Sequence, residues 1–98
     1  MTHYKMDMQE KKIIYKVPNG KLLKVFLIEN SGVIDDIKIT GDFFVYPEEA
    51  IDELENALKN APLIAADLTK LINNFIREKN VTLYGVDVES LVKVLCGL

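Results

Sequence analysis

Two turn signals within fifteen residues restrict this chain more than any other feature. Pro18-Asn19-Gly20 and Asn30-Ser31-Gly32 separate three runs in which apolar and polar residues alternate. Asn-Gly readily takes the positive φ of a tight hairpin turn, and Pro18 has no N–H to give to a ladder. A period of two places alternate side chains on opposite faces of a strand. Lys12 to Val17 thus reads as a strand with Ile13, Tyr15 and Val17 on one face. Lys21 to Glu29 is the second, with Leu23, Val25 and Leu27 on one face and Leu22, Lys24, Phe26 and Ile28 on the other. Val33 to Thr40 is the third, with Ile37 and Ile39 inward. Three adjacent strands with short turns make an antiparallel meander. The middle strand is mostly apolar on both faces, which a chain of 98 residues cannot easily cover alone.

The remainder reads as helices. Pro47 suits a first helical position, and Glu48 and Glu49 suit the positive end of the helix dipole. Ile51, Leu54 and Leu58 form the stripe of a helix running to about Lys59, and Asn60-Ala61-Pro62 breaks it. A second helix is expected from about Leu63 to Lys79, burying Ile64, Leu68, Leu71, Ile72, Phe75 and Ile76. In the connector Asn80 to Gly85, Val81, Leu83 and Tyr84 are expected to pack. Asp87 is expected to cap a last helix, buried through Leu91, Val92, Val94 and Leu95. The fold class is α+β, a two-layer sandwich: a three-stranded antiparallel meander followed by about three helices. Residues 1–10 read as a flexible N-terminal arm and 11–98 as one domain.

Composition removes whole classes of function. Twelve Lys plus Arg face fifteen Asp plus Glu, and a net charge of −3 argues against nucleic acid. No apolar run is long enough to span a membrane, and Met1 to Glu10 lacks the apolar core of a secretion signal, so the expected compartment is the cytoplasm. The charge is unevenly placed. Residues 1–40 hold seven lysines against five acids, and residues 41–98 hold five basic side chains against ten acidic ones. These are either two solvated faces or a docking surface for a partner of complementary charge.

Chemistry-bearing groups are sparse. His3 stands alone in the arm, and Cys96 reads as a buried or idle thiol. No phosphate-cradling glycine motif occurs. Asp35 and Asp36 are adjacent, so on a regular strand they point to opposite faces and form no acid/base pair. Glu48, Glu49, Asp52, Glu53 and Glu55 read as the solvated side of an amphipathic helix. Catalytic, cofactor-binding and metal residues are therefore expected to be absent. The segment left for function is Gly41-Asp42-Phe43-Phe44, with Tyr46 beyond it. It is either a strand end whose phenylalanines fill the core, or a docking element with one aromatic and Asp42 turned to a partner.

The run Val33-Ile34-Asp35-Asp36-Ile37-Lys38-Ile39-Thr40-Gly41-Asp42-Phe43-Phe44 closely resembles the signature of the small C-terminal accessory domain of lipoate-protein ligases. Ile51, Leu54, Glu55 and Leu58 match that family's I-x-x-L-E-x-x-L, and Gly20-Lys21-Leu22 followed by Val25 to Ile28 fits its first hairpin. The resemblance spans about Ile13 to Leu98; residues 1–10 have no counterpart in it. It implies a non-catalytic accessory subunit that works with a large catalytic subunit in the ATP-dependent activation of lipoate to lipoyl-AMP. It also implies that ATP, Mg and lipoate are held by that partner. The heterodimer would serve carrier domains of 2-oxoacid dehydrogenases or the glycine cleavage H protein. Gly41, Asp42, Phe43, Phe44 and Tyr46 are the expected partner interface. The fold also resembles iron–sulfur scaffold proteins (SufE/NifU-like) through Gly32-Val33-Ile34-Asp35-Asp36, but Asp42 follows Gly41 where those proteins place a cysteine. A scaffold-like or generic interaction module is the alternative.

Overall fold

The computed structural model describes residues 8–18 and 21–97. Elements follow in the order β1 (Met8–Lys16), β2 (Leu22–Asn30), β3 (Val33–Gly41), β4 (Phe44–Tyr46), α1 (Ala50–Leu58), α2 (Ala65–Lys79), β5 (Thr82–Tyr84) and α3 (Val88–Leu95). The meander is present as an antiparallel sheet in the order β1-β2-β3, with Ile13 opposite Val25 and Val25 opposite Ile39. Its inward residues Leu23, Val25, Leu27, Ile34, Ile37 and Ile39 are buried against Leu54, Leu58, Leu68, Ile72, Leu91, Val94 and Leu95 of the helices. α1 lies along β3, α3 crosses β2, and α2 packs on both helices. This is the α+β two-layer arrangement, with one sheet face inside and the other not covered by any of the described residues.

The structure departs from the sequence expectations in several places. β1 begins at Met8 rather than after residue 10: Met8, Gln9 and Glu10 pair with Asn30, Glu29 and Ile28, so the first part of the ladder is built from residues without an apolar period. The rest of the arm, His3 included, lies outside the described residues. Asp35 and Asp36 do not point to opposite faces. A bulge between Ile28 and Glu29 leaves Asp35 without a cross-strand partner and shifts the alternation, so Ile34 and Ile37 are buried while both aspartates are exposed.

Pro47 is not the first helical residue. It stands three residues ahead of α1, where its carbonyl accepts the Ala50 N–H at 3.0 Å. Glu49 is the N-cap residue, and the first-turn acids are Asp52 and Glu53. Ile64 is exposed, because its extended backbone precedes α2. That entry is pinned by Leu63, whose N–H donates to the Gly32 carbonyl at 2.9 Å. Cys96, expected to be either buried or idle, is exposed at the end of α3. A further departure is the pairing of β4 with β5 into a second small sheet, which the linear pattern did not separate from loop.

Glu55 corrects the reading of the acidic face. It is buried, and its Oε2 accepts the Ile39 N–H at 2.7 Å while Oε1 lies 3.8 Å from Lys38 Nζ. A carboxylate reaching from α1 thereby satisfies a donor on β3. Two more donors on β3 are likewise taken: Ile34 N–H by the Ala61 carbonyl at 2.9 Å, and Ile37 N–H by Asp36 Oδ1 at 2.9 Å. The Asn60 N–H returns to the Ile34 carbonyl at 2.7 Å. The β3 edge is closed by its own chain, which removes a strand-pairing hazard.

Candidate interaction site

Gly41 makes the turn that separates the two sheets. Its φ is +148°, and a Cβ there would collide with the Leu22 carbonyl. That carbonyl instead accepts the Asp42 N–H at 3.0 Å. A side chain would strain the backbone and push β2 away, so glycine is required. The chain then resumes alternation. Phe43 and Val45 turn inward and pack on the core, while Phe44 and Tyr46 turn outward. β4 is held by β5, with Phe44 opposite Tyr84, Val45 opposite Leu83 and Tyr46 opposite Thr82. Gly85, at φ +86°, ends β5, and its carbonyl accepts the Lys21 N–H at 3.0 Å. The ribbon is thus fastened to the start of β2 at both strands.

The outcome is a short two-stranded ribbon with three aromatic side chains on its outer face. Phe44 is 71% exposed, Tyr46 68% and Tyr84 55%. Phe44 and Tyr84 are direct cross-strand neighbours, a spacing of about 5 Å between Cβ atoms. A cluster of large exposed aromatics on a fixed backbone has the make-up of an interface anchor rather than of a solvated surface. Asp42 is exposed beside it, at a shallow depression also lined by Lys16, Lys21 and Leu22.

Of the expected interface residues, the structure brings Phe44 and Tyr46 to one surface, turns Phe43 into the core and uses Gly41 as the hinge of the turn. Tyr84, expected to pack inside, is the member that sequence reasoning missed. In the structure Val81-Thr82-Leu83-Tyr84 alternates buried, exposed, half-buried, exposed, which turns Tyr84 outward.

The interior offers little room for a ligand. The apolar gap bordered by Phe43, Val45, Leu54, Phe75, Leu83 and Leu91 holds about 10 Å³, no more than a single water needs. Among the described residues no three His, Cys, Asp or Glu side chains gather as metal ligands, and no helix is long and apolar enough to cross a membrane. Asp87 has a depressed pKa, but the cause is structural: the Ser90 hydroxyl and then the Ser90 N–H, the latter at 2.7 Å, stabilise its carboxylate as the cap of α3.

Comparison with known proteins gives concordant results. Residues 7–95 match the family described as the C-terminus of bacterial lipoate protein ligases. A Lipoate-protein ligase A subunit 2 of Thermoplasma acidophilum is 33% identical over 98 residues, covering 97% of this chain and 96% of the relative. Among solved structures, a chain from a study of an archaeal lipoylation system matches with a TM-score of 0.77 and 28% identity, covering 90% of this chain and 96% of that one. That study concerns a bi-partite lipoate protein ligase and its E2 lipoyl domain from Thermoplasma acidophilum.

Proposed function

We propose, because this chain belongs to the bacterial lipoate protein ligase C-terminus family, that it is the small accessory subunit of a two-chain lipoate-protein ligase. The observation that carries this is a match over nearly the whole of both chains to a protein that is itself a separate subunit. The chain acts with a large catalytic subunit, which binds ATP, Mg and lipoate and forms lipoyl-AMP. The complex then serves a lipoyl carrier domain, in the cytoplasm. The division of labour is supported by the chain's chemistry: no phosphate-binding loop in the sequence, and, among the described residues, an interior gap too small for an acyl cofactor. Within this reading Phe44, Tyr46 and Tyr84 are the anchors that seat the large subunit, with Asp42 at their margin. An iron–sulfur scaffold role is disfavoured, since Cys96 is the one cysteine and clusters are held by several.

The test separates the two half-reactions. Large subunit alone should transfer lipoyl from supplied lipoyl-AMP to a carrier domain, yet form lipoyl-AMP from lipoate and ATP only when this chain is added. Calorimetry on the isolated chain should register no ATP binding. Equal dependence of both half-reactions on this chain, or micromolar ATP binding by it alone, would overturn the accessory role.

A further inference from the structure

Among the described residues no helix lies over the outward face of the β1-β2-β3 sheet, and its composition differs from that of the aromatic ribbon. Register fixes its rows: Lys12, Phe26 and Lys38 lie side by side across the three strands, and Ile14, Lys24 and Thr40 form the next row. Lys16 opposite Leu22 follows. All four lysines are exposed, and among them Ile14 is 59% and Phe26 39% exposed. Glu10 and Asp36 flank Ile28 at one end, Asp42 shares a depression with Lys16 and Lys21 at the other, and Glu55 Oε1 lies 3.8 Å from Lys38 Nζ at the β3 edge; among the described residues neither Lys12 nor Lys24 is in an ion pair. Asp36 is already engaged by the Ile37 N–H and, at 3.7 Å, by Lys59. The acids outnumber bases two to one after residue 40, in the half that builds the helical layer. The two charge balances of the sequence are therefore two faces of one small body.

Protection of sheet edges by lysine accounts for Lys12, Lys16 and Lys38 on the outer strands. It does not account for Lys24 on the central strand, nor for an exposed phenylalanine between lysines. Lysine is depleted from the cores of stable interfaces, whereas charged faces raise encounter rates and give salt-sensitive, releasable contacts. A permanent partner suits the apolar ribbon. A protein substrate that must leave after each turnover suits the lysine face. Exposed Ile14 and Phe26 favour a protein surface over a phosphate backbone, as does a net charge of −3 for the whole chain.

We propose that Lys12, Lys16, Lys24 and Lys38, around Ile14 and Phe26, dock an acidic face of the carrier protein that accepts the acyl group. This rests on the ligase reading above and adds a substrate-docking surface to it.

The test uses the reconstituted two-chain complex and an unlipoylated E2 lipoyl domain as the probe. In the variant K12E/K24E, the KM for the lipoyl domain should rise by about tenfold or more. Lypoyl-AMP formation, kcat at saturating carrier and sedimentation of the complex should stay as in the wild type. Added salt should raise the wild-type KM and leave that of the variant nearly flat. K12Q/K24Q, which adds no repulsion, should give a smaller rise and serves if the reversal disturbs folding. An unchanged KM in both variants overturns the proposal. So does loss of complex assembly, which would assign this face to the large subunit, or charge-dependent retention of an RNA fragment with an unchanged KM. Failure of the wild-type complex to form or to activate lipoate would instead overturn the ligase reading, leaving the two failures distinguishable.

Discussion

Phe43 and Phe44 are neighbours with opposite surroundings, and the difference is measurable. Phe43 packs on the core beside Val45 and Leu83. Phe43→Ala should lower stability by about 3 kcal/mol, the low end for a buried phenylalanine because the ring is only half-covered. Phe44→Ala should leave chemical denaturation within about 0.5 kcal/mol of wild type. It should instead weaken association with the large subunit by about 2 kcal/mol, roughly 30-fold in Kd. Equal losses of stability in the two variants would show that Phe44 is also a core residue. A second test at this scale concerns Asp87. Hydrogen bonds from Ser90 hold its pKa below the usual 3.8. The cap therefore contributes fully above that ordinary value and is lost as pH falls through the depressed one. Asp87→Ala should cost about 1 kcal/mol at neutral pH, and the difference from wild type should shrink in urea melts carried out below pH 3.8.

At the level of elements, one buried carboxylate adds a hydrogen bond to the apolar packing of α1 on β3. Removing it leaves the Ile39 N–H without its partner, so Glu55→Ala should cost about 1–3 kcal/mol. Amide exchange at Ile39 should accelerate selectively, while exchange at Val25 on the central strand follows only the global loss. Glu55→Gln, whose amide oxygen still accepts, should recover most of the protection. Most elements were legible from period alone, because Leu23-Val25-Leu27 and Leu68-Ile72-Phe75 repeat at strand and helix spacing. Glu55 was not legible: a glutamate on a helical stripe looks solvated until a strand edge is brought to it from 16 residues away in sequence. β5 was hidden for a similar reason. Three residues are too few to show a period, and their strand identity depends on β4 arriving opposite. The bulge at Asp35 also escaped, since one extra residue changes the face of everything after it without changing the composition. The candidate site was half legible: glycine and aromatics marked Gly41 to Tyr46, but Tyr84 joins it only through tertiary pairing.

For the whole molecule, a chain of 98 residues has a modest core, and a partner that binds only the folded state adds to its stability. With large subunit at 100 times its Kd the addition is about 2.7 kcal/mol. For a domain of this size that corresponds to an increase in Tm of roughly 10–20 °C. Scanning calorimetry over a series of large-subunit concentrations should show the rise, and a Tm independent of the partner would exclude a stable complex. The interface behind it should bury on the order of 1,200–2,000 Å², more than three aromatic side chains provide, so on the proposal above the ribbon is the centre of the contact and not its extent.

The placement of β1 bears on how such a domain could be tethered. Lys16, its last residue, pairs with Leu22 at the end of the sheet that holds the aromatic ribbon, and Met8, its first, pairs with Asn30 at the other end. Nine strand residues separate those ends by about 27 Å. A catalytic domain covalently joined ahead of Met8 would therefore start on the far side from the ribbon. Its linker would need about eight extended residues simply to double back. With such a linker the ribbon would meet its seat at an effective concentration in the millimolar range. As a separate subunit, the role proposed above, it would meet that seat at whatever concentration the two subunits reach, so the proposed aromatic contact would have to supply by affinity what a linker supplies by confinement.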